Sequence, residues 1–128
     1  MSVNKEISVL IVDDYQTMRS VIRNLLRQLG FHNTSEAGTT EEALAILKEK
    51  ECGLVIFDWL TGPMSGADFL KTVRADKKLE KLPFVVVCAE SNQEVIATMR
   101  EAGISDFIAK PFTQAMLKKK METLLGNF

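Results

Sequence analysis

The sequence predicts an α/β fold, a five-stranded parallel sheet with helices on both faces, and three observations carry that prediction. Short apolar runs alternate strictly with longer stretches of helical spacing. The runs are continuous, as in LVIF at 54–57, which suits strands buried on both faces rather than one. No Pro- or Ser-rich linker interrupts the series over 128 residues, a length that makes one domain with a sizeable core.

SVLIVDD (8–14) is the first apolar run, and it ends in two carboxylates. Met18, Val21, Ile22, Leu25, Leu26 and Leu29 then recur at helical spacing, and Gly30 supplies the stop. A weaker strand lies within residues 31–37. Thr39 and Glu42 form a capping-box pair opening a helix that carries Ala43, Leu44 and Leu47. The third strand is 54–59, and GADFLKTVRAD, with Phe69, Leu70 and Val73, is the next helix. LPFVVVCA (82–89) is a strongly β-branched fourth strand. Ser91 and Glu94 make a second capping-box pair, starting a helix with Val95, Ile96 and Met99 that ends near Gly103. DFIAK is the fifth strand, and residues 112–125 make the last helix. Five strands in alternation with five helices point to the flavodoxin-like (βα)5 sandwich of order 2-1-3-4-5, with right-handed crossovers.

Composition excludes several functions. Sixteen Lys and Arg against seventeen Asp and Glu give a net charge of -1, so nucleic acid and anionic membranes exert no general attraction. The N-terminal MSVNKEISVLIVDD meets acidic residues too soon for a signal peptide, and no apolar run approaches a bilayer's thickness. Cys52 and Cys88 lack the number and spacing of a disulfide framework or a zinc site, and Cys52 reads as a buried small residue. The expectation is a reduced, cytoplasmic, monomeric protein with residues 1–128 forming a single domain.

In sheets of this kind the ligand site lies at the carboxyl ends of the strands, near the switch point between the first and third. Asp13 and Asp14 end the first strand, Asp58 the third, Cys88 the fourth and Lys110 the fifth. Taken singly, Asp13 could be only a turn or cap residue and Lys110 only a solvated lysine. Together they converge on one rim. Two carboxylates ~4 Å apart repel by roughly 4 kcal/mol at an effective dielectric near 20. A divalent cation and Lys110 would balance the three acids, and few protein oxygens with room for water suit Mg²⁺. An Asp58 oxygen beside such a metal is a nucleophile toward phosphorus, with metal and lysine neutralising the phosphoryl group in transit.

VDD at 12–14, FDW at 57–59 and KPF at 110–112 resemble the receiver domain of two-component response regulators. The resemblance spans the chain. TMRSVIRNLLRQLGF, GADFLKTVRAD and KPFT are similar to the stand-alone receivers of chemotaxis. That resemblance implies that Asp58 accepts a phosphoryl group from a histidine kinase. Asp13, Asp14, Asp58 and the Leu60 backbone carbonyl would hold Mg²⁺, in part through water. Lys110 would contact the Asp58 carboxylate or its phosphoryl oxygen, and the Lys110–Pro111 bond would be cis. The output face would be the fourth helix, fifth strand and fifth helix, meeting a flagellar motor switch or another downstream protein.

Three departures bear on the readout. Cys88 stands where the family has Thr or Ser, and a thiol is a longer, weaker donor to a phosphoryl group. Phe107 stands where chemotaxis receivers carry a tyrosine that turns inward, keeping the ring and losing the hydroxyl. In the loop LTGPMSG (60–66) the usual proline position is Gly62, with Pro63 next. Leu60 there replaces a polar Asn, and with the retained Glu90 it is a candidate for tuning phosphoryl lifetime. Lys118, Lys119 and Lys120 read as a solvated helix face.

Two functions are therefore weighed. One is a phosphoacceptor regulator that modifies only itself and is no enzyme. The other is an interaction module whose binding ignores phosphorylation, supported by Cys88, Phe107 and Leu60. An FMN-binding flavodoxin is set aside, because DDYQTM follows the first strand in place of a hydroxyl- or Gly-rich phosphate loop.

Overall fold

The computed structural model describes residues 5–59, 66–89 and 93–126. Its elements run β1 (Val9–Val12), α1 (Gln16–Gln28), β2 (Thr34–Ala37), α2 (Thr40–Glu49), β3 (Leu54–Asp58), α3 (Gly66–Ala75), β4 (Phe84–Cys88), α4 (Gln93–Ala102), β5 (Asp106–Ala109) and α5 (Gln114–Leu125). All strand pairs are parallel and the order is β2-β1-β3-β4-β5, the predicted switch of direction falling between β1 and β3.

The strands sort their side chains by the two-residue period. Leu10, Val12, Val55, Phe57, Phe84, Val86 and Cys88 face one side, where α2, α3 and α4 contribute Leu47, Phe69, Leu70, Val73 and Met99. Val9, Ile11, Leu54, Ile56, Val85, Val87 and Ile108 face the other, against Ile22 and Leu26 of α1 and Leu117 and Met121 of α5. Both faces are apolar, which is why the runs showed no alternation with polar residues. Phe69 is the hinge of the first core, its ring 4.9 Å from Phe57 and 5.9 Å from Phe84.

Caps set several helix ends. The Thr39 hydroxyl accepts from the Glu42 N–H at 3.1 Å, while the Glu42 carboxylate reaches back to the Gly38 N–H, one residue earlier than predicted. Thr113 caps α5 by accepting from the Met116 N–H, so that helix begins at Gln114 rather than 112. Gly30 and Gly103 close α1 and α4 with φ of 98° and 99°. Ser91, predicted to cap α4, lies outside the described residues. Val21 departs from the predicted core: it is 46% exposed, on the flank of α1 rather than its buried stripe.

At the C-terminal end of α3, Arg74 acts as a cationic tie. Its guanidinium donates to the carbonyls of Gly103, Leu79, Glu80 and Leu82, and it lies 5.0 Å from the centroid of the Phe84 ring. No helix among the described residues is long and apolar enough to cross a membrane.

Candidate functional site

The carboxyl ends of β1, β3 and β5 bring together Asp13, Asp58 and Lys110. Lys110 Nζ donates to Asp58 Oδ2 at 2.6 Å, across 52 residues of chain. Asp58 is 8% exposed and Asp13 fully buried, so both carboxylates have left bulk water. The strand ladder continues past them, with the Trp59 N–H on the Val87 carbonyl and the Lys110 N–H on the Cys88 carbonyl. Lys110–Pro111 is cis, as the resemblance implied.

Asp13 does two things at once. Its Oδ1 accepts from the Tyr15 N–H at 2.8 Å, the turn role open to any acid before a helix. Its Oδ2 is buried with no hydrogen-bond partner among the described residues. Burial first, and then the neighbouring Asp58, raise the Asp13 carboxyl from 3.8 to about 6 against the opposing pull of the Tyr15 amide and Lys110. A buried orphan oxygen beside a second carboxylate, with one ammonium between two acids, is a site short of positive charge. A small hard cation fits it.

Asp14, by contrast, is exposed, because consecutive residues leaving a strand point to opposite sides. Among the described residues no three acidic, His or Cys side chains are gathered as a metal cage. The expected third carboxylate thus stands at the rim, not in the cluster. Leu60, Glu90, Gly62 and Pro63 lie outside the described residues.

Cys88 sits at the end of β4, 4% exposed. Burial raises its thiol pKa, the Asp58 carboxylate adds to that, and Lys110 opposes. It is a protonated packing thiol beside the acids, not a nucleophile. Phe107 is half-buried on β5, packed against the α2–α3–α4 core. Lys120 corrects the solvated reading of the α5 lysines. It pairs with Asp106 at 3.1 Å and lies 5.6 Å from the Phe107 ring centroid, because α5 runs along β5. Lys119 alone of the three is exposed. Cys52 is half-buried rather than buried, its thiol donating to the Leu54 carbonyl, and burial raises its pKa.

Sequence reasoning missed Arg19 and Glu36. Arg19 donates to the Asp13 carbonyl and pairs with Glu36 at 3.2 Å; Arg23 pairs with the same Glu36 at 3.0 Å. No local pattern links these residues, which meet only because β2 pairs with β1 and α1 packs across them. A cavity of about 410 Å³ lined by Met18, Val21, Lys110, Pro111 and Phe112 adjoins the site. A larger cavity, about 630 Å³, is bounded by the turns at the amino end of β3 and β4 and contains none of the site residues.

The response regulator receiver domain family matches residues 9–122. The chain belongs to that family. It is 45% identical over 121 residues to the chemotaxis protein CheY-3 of Vibrio cholerae, covering 94% of this chain and 93% of that one. Vibrio cholerae CheY4, a chemotaxis response regulator, superposes with a TM-score of 0.88 at 26% identity, over 94% of this chain and 99% of that one. The receiver domain of the Pseudomonas aeruginosa sensor histidine kinase PA1611, which holds a magnesium ion in its active-site cleft, shares the fold. Its TM-score is 0.86 at 22% identity, over 95% of this chain and 99% of that domain. Receiver domains take phosphoryl groups from histidine kinases and act on output partners, as regulators rather than enzymes turning over an external substrate. This chain is accordingly a phosphoacceptor response regulator.

Proposed function

We propose that Asp58 is the phosphoacceptor of a chemotaxis-type pathway and that residues 1–128 work as one cytoplasmic, monomeric receiver. The observation that carries this reading is the buried Asp13–Asp58 pair with Lys110 Nζ 2.6 Å from Asp58. In the transfer, an Asp58 carboxylate oxygen forms a bond to phosphorus while the bond from phosphorus to the donor imidazole nitrogen breaks, and that nitrogen leaves with the electron pair. Lys110 passes from carboxylate to phosphoryl oxygen and holds the new charge. Asp13, Asp14, Asp58 and the Leu60 backbone carbonyl would hold Mg²⁺, in part through water. When bound, Mg²⁺ supplies the positive charge that offsets the acids and the phosphoryl oxygens.

The modification is of the receiver itself, in both directions, with Leu60 and Glu90 tuning its lifetime. Its readout runs through Cys88 and Phe107 to the face of α4, β5 and α5, where a downstream protein, a flagellar motor switch or other output, would dock. Phosphorylation changes that affinity only in so far as the partner distinguishes the two states. Hydrogen exchange with and without an acyl phosphate and Mg²⁺ tests this. Altered protection over residues 93–125, absent in Asp58→Asn, is the expected outcome. A face that does not respond would favour binding that ignores phosphorylation.

A further inference from the structure

We infer that Arg19 is a positioning residue for the acidic site: its guanidinium ties the Asp13 carbonyl to Glu36 of β2 and so fixes the turn that carries Asp13 and Asp14. The inference rests on the proposed Mg²⁺-binding role of those acids.

The Asp13 backbone is held from both sides. Its N–H donates to the Ala37 carbonyl at 3.1 Å, continuing the β1–β2 ladder by one residue. Its carbonyl accepts from one terminal nitrogen of Arg19, whose Nε bonds Glu36 Oε1 at 3.2 Å. Two acceptors on different strands are bridged by one planar group, a task for a guanidinium fork rather than for the point charge of a lysine. The Arg19 side chain is only 17% exposed, and Gly38 leaves room for it, since a Cβ there would stand 3.3 Å from the same terminal nitrogen. The consequence is a fixed direction for the Asp13 side chain, whose Oδ2 has no hydrogen-bond partner among the described residues. Partners of metal ligands act in this way, and their loss typically costs about 10- to 100-fold in metal affinity.

Arg23 provides the internal control. It bonds the same Glu36 carboxylate from the next turn of α1, but among the described residues it makes no bond to Asp13. The experiment is a Mg²⁺ titration of the full chain followed by the fluorescence of its single tryptophan, Trp59, beside urea midpoints. Wild type, Arg19→Gln, Arg19→Lys and Arg23→Gln are compared. Arg19→Gln and Arg19→Lys should each weaken Mg²⁺ affinity about 10-fold or more, while Arg23→Gln stays within about twofold at a similar loss of stability. If Arg19→Gln does not fold, Glu36→Ala removes the acceptor at the other end of the tie and carries the same expectation. Wild-type affinity in Arg19→Gln, or an equal loss in Arg23→Gln, overturns the inference. So does wild-type affinity in Arg19→Lys, which would make the charge and not the fork responsible. A wild type that takes up no Mg²⁺ overturns the proposed site itself, and the positioning role with it.

Discussion

Asp13→Asn should make the metal-free protein more stable while removing its Mg²⁺ response. Asp13 is fully buried, and its carboxyl is raised from 3.8 to about 6 chiefly by burial and then by Asp58. Above about 6 the group is ionised in both states and the folded protein carries the whole cost. Between 3.8 and about 6 the folded state holds a proton that the unfolded chain has lost, so stability rises as pH falls. Below 3.8 both states are protonated and the cost is gone. That interval corresponds to about 3 kcal/mol, at about 1.4 kcal/mol per pH unit. An asparagine keeps the acceptor for the Tyr15 N–H and offers Asp58 a donor instead of a second charge. Urea unfolding in EDTA, followed by Trp59 fluorescence, should therefore show the variant about 2 to 3 kcal/mol more stable near pH 8, with the gain closing near pH 4. Saturating Mg²⁺ should stabilise the wild type and leave the variant where it was. A variant no more stable than wild type near pH 8, or one whose gain is the same at both pH values, would refute the assignment of a charge-deficient pair.

Other perturbations reach other parts of the molecule. Arg74→Ala should cost about 3 kcal/mol or more in urea unfolding, since four carbonyls lose a charged donor, and Arg74→Lys should recover less than half of it. A value within about 0.5 kcal/mol of wild type would show that water replaces the tie. Cys88→Thr should strengthen the link between phosphorylation and exchange protection on the α4–β5–α5 face, by the roughly 0.5 to 1.5 kcal/mol of an ordinary hydrogen bond. An unchanged response would leave Cys88 as packing alone.

The fold was legible because the strands are buried on both faces. LVIF and FVVV admit little but a covered parallel sheet, and helix stops at Gly30 and Gly103 punctuate them. The convergence of Asp58 and Lys110 followed from topology alone, since every strand points the same way. What sequence could not tell is how neighbours on the chain divide their surroundings. Asp13 and Asp14 look alike in VDD, yet one is fully buried and the other exposed. Val21 fits the periodicity of α1 and still stands at its flank. Lys120 was read as surface charge and Arg19 was missed because their partners, Asp106 and Glu36, lie on strands that only the packed sheet brings near.

The most direct test of Asp58 as phosphoacceptor is intact mass after brief incubation with Mg²⁺ and a small acyl phosphate, quenched in acid. One added phosphoryl group is expected, missing from Asp58→Asn and from samples without metal. No adduct at short times, with Mg²⁺ binding established by Trp59 fluorescence, or an adduct that persists in Asp58→Asn, would contradict it.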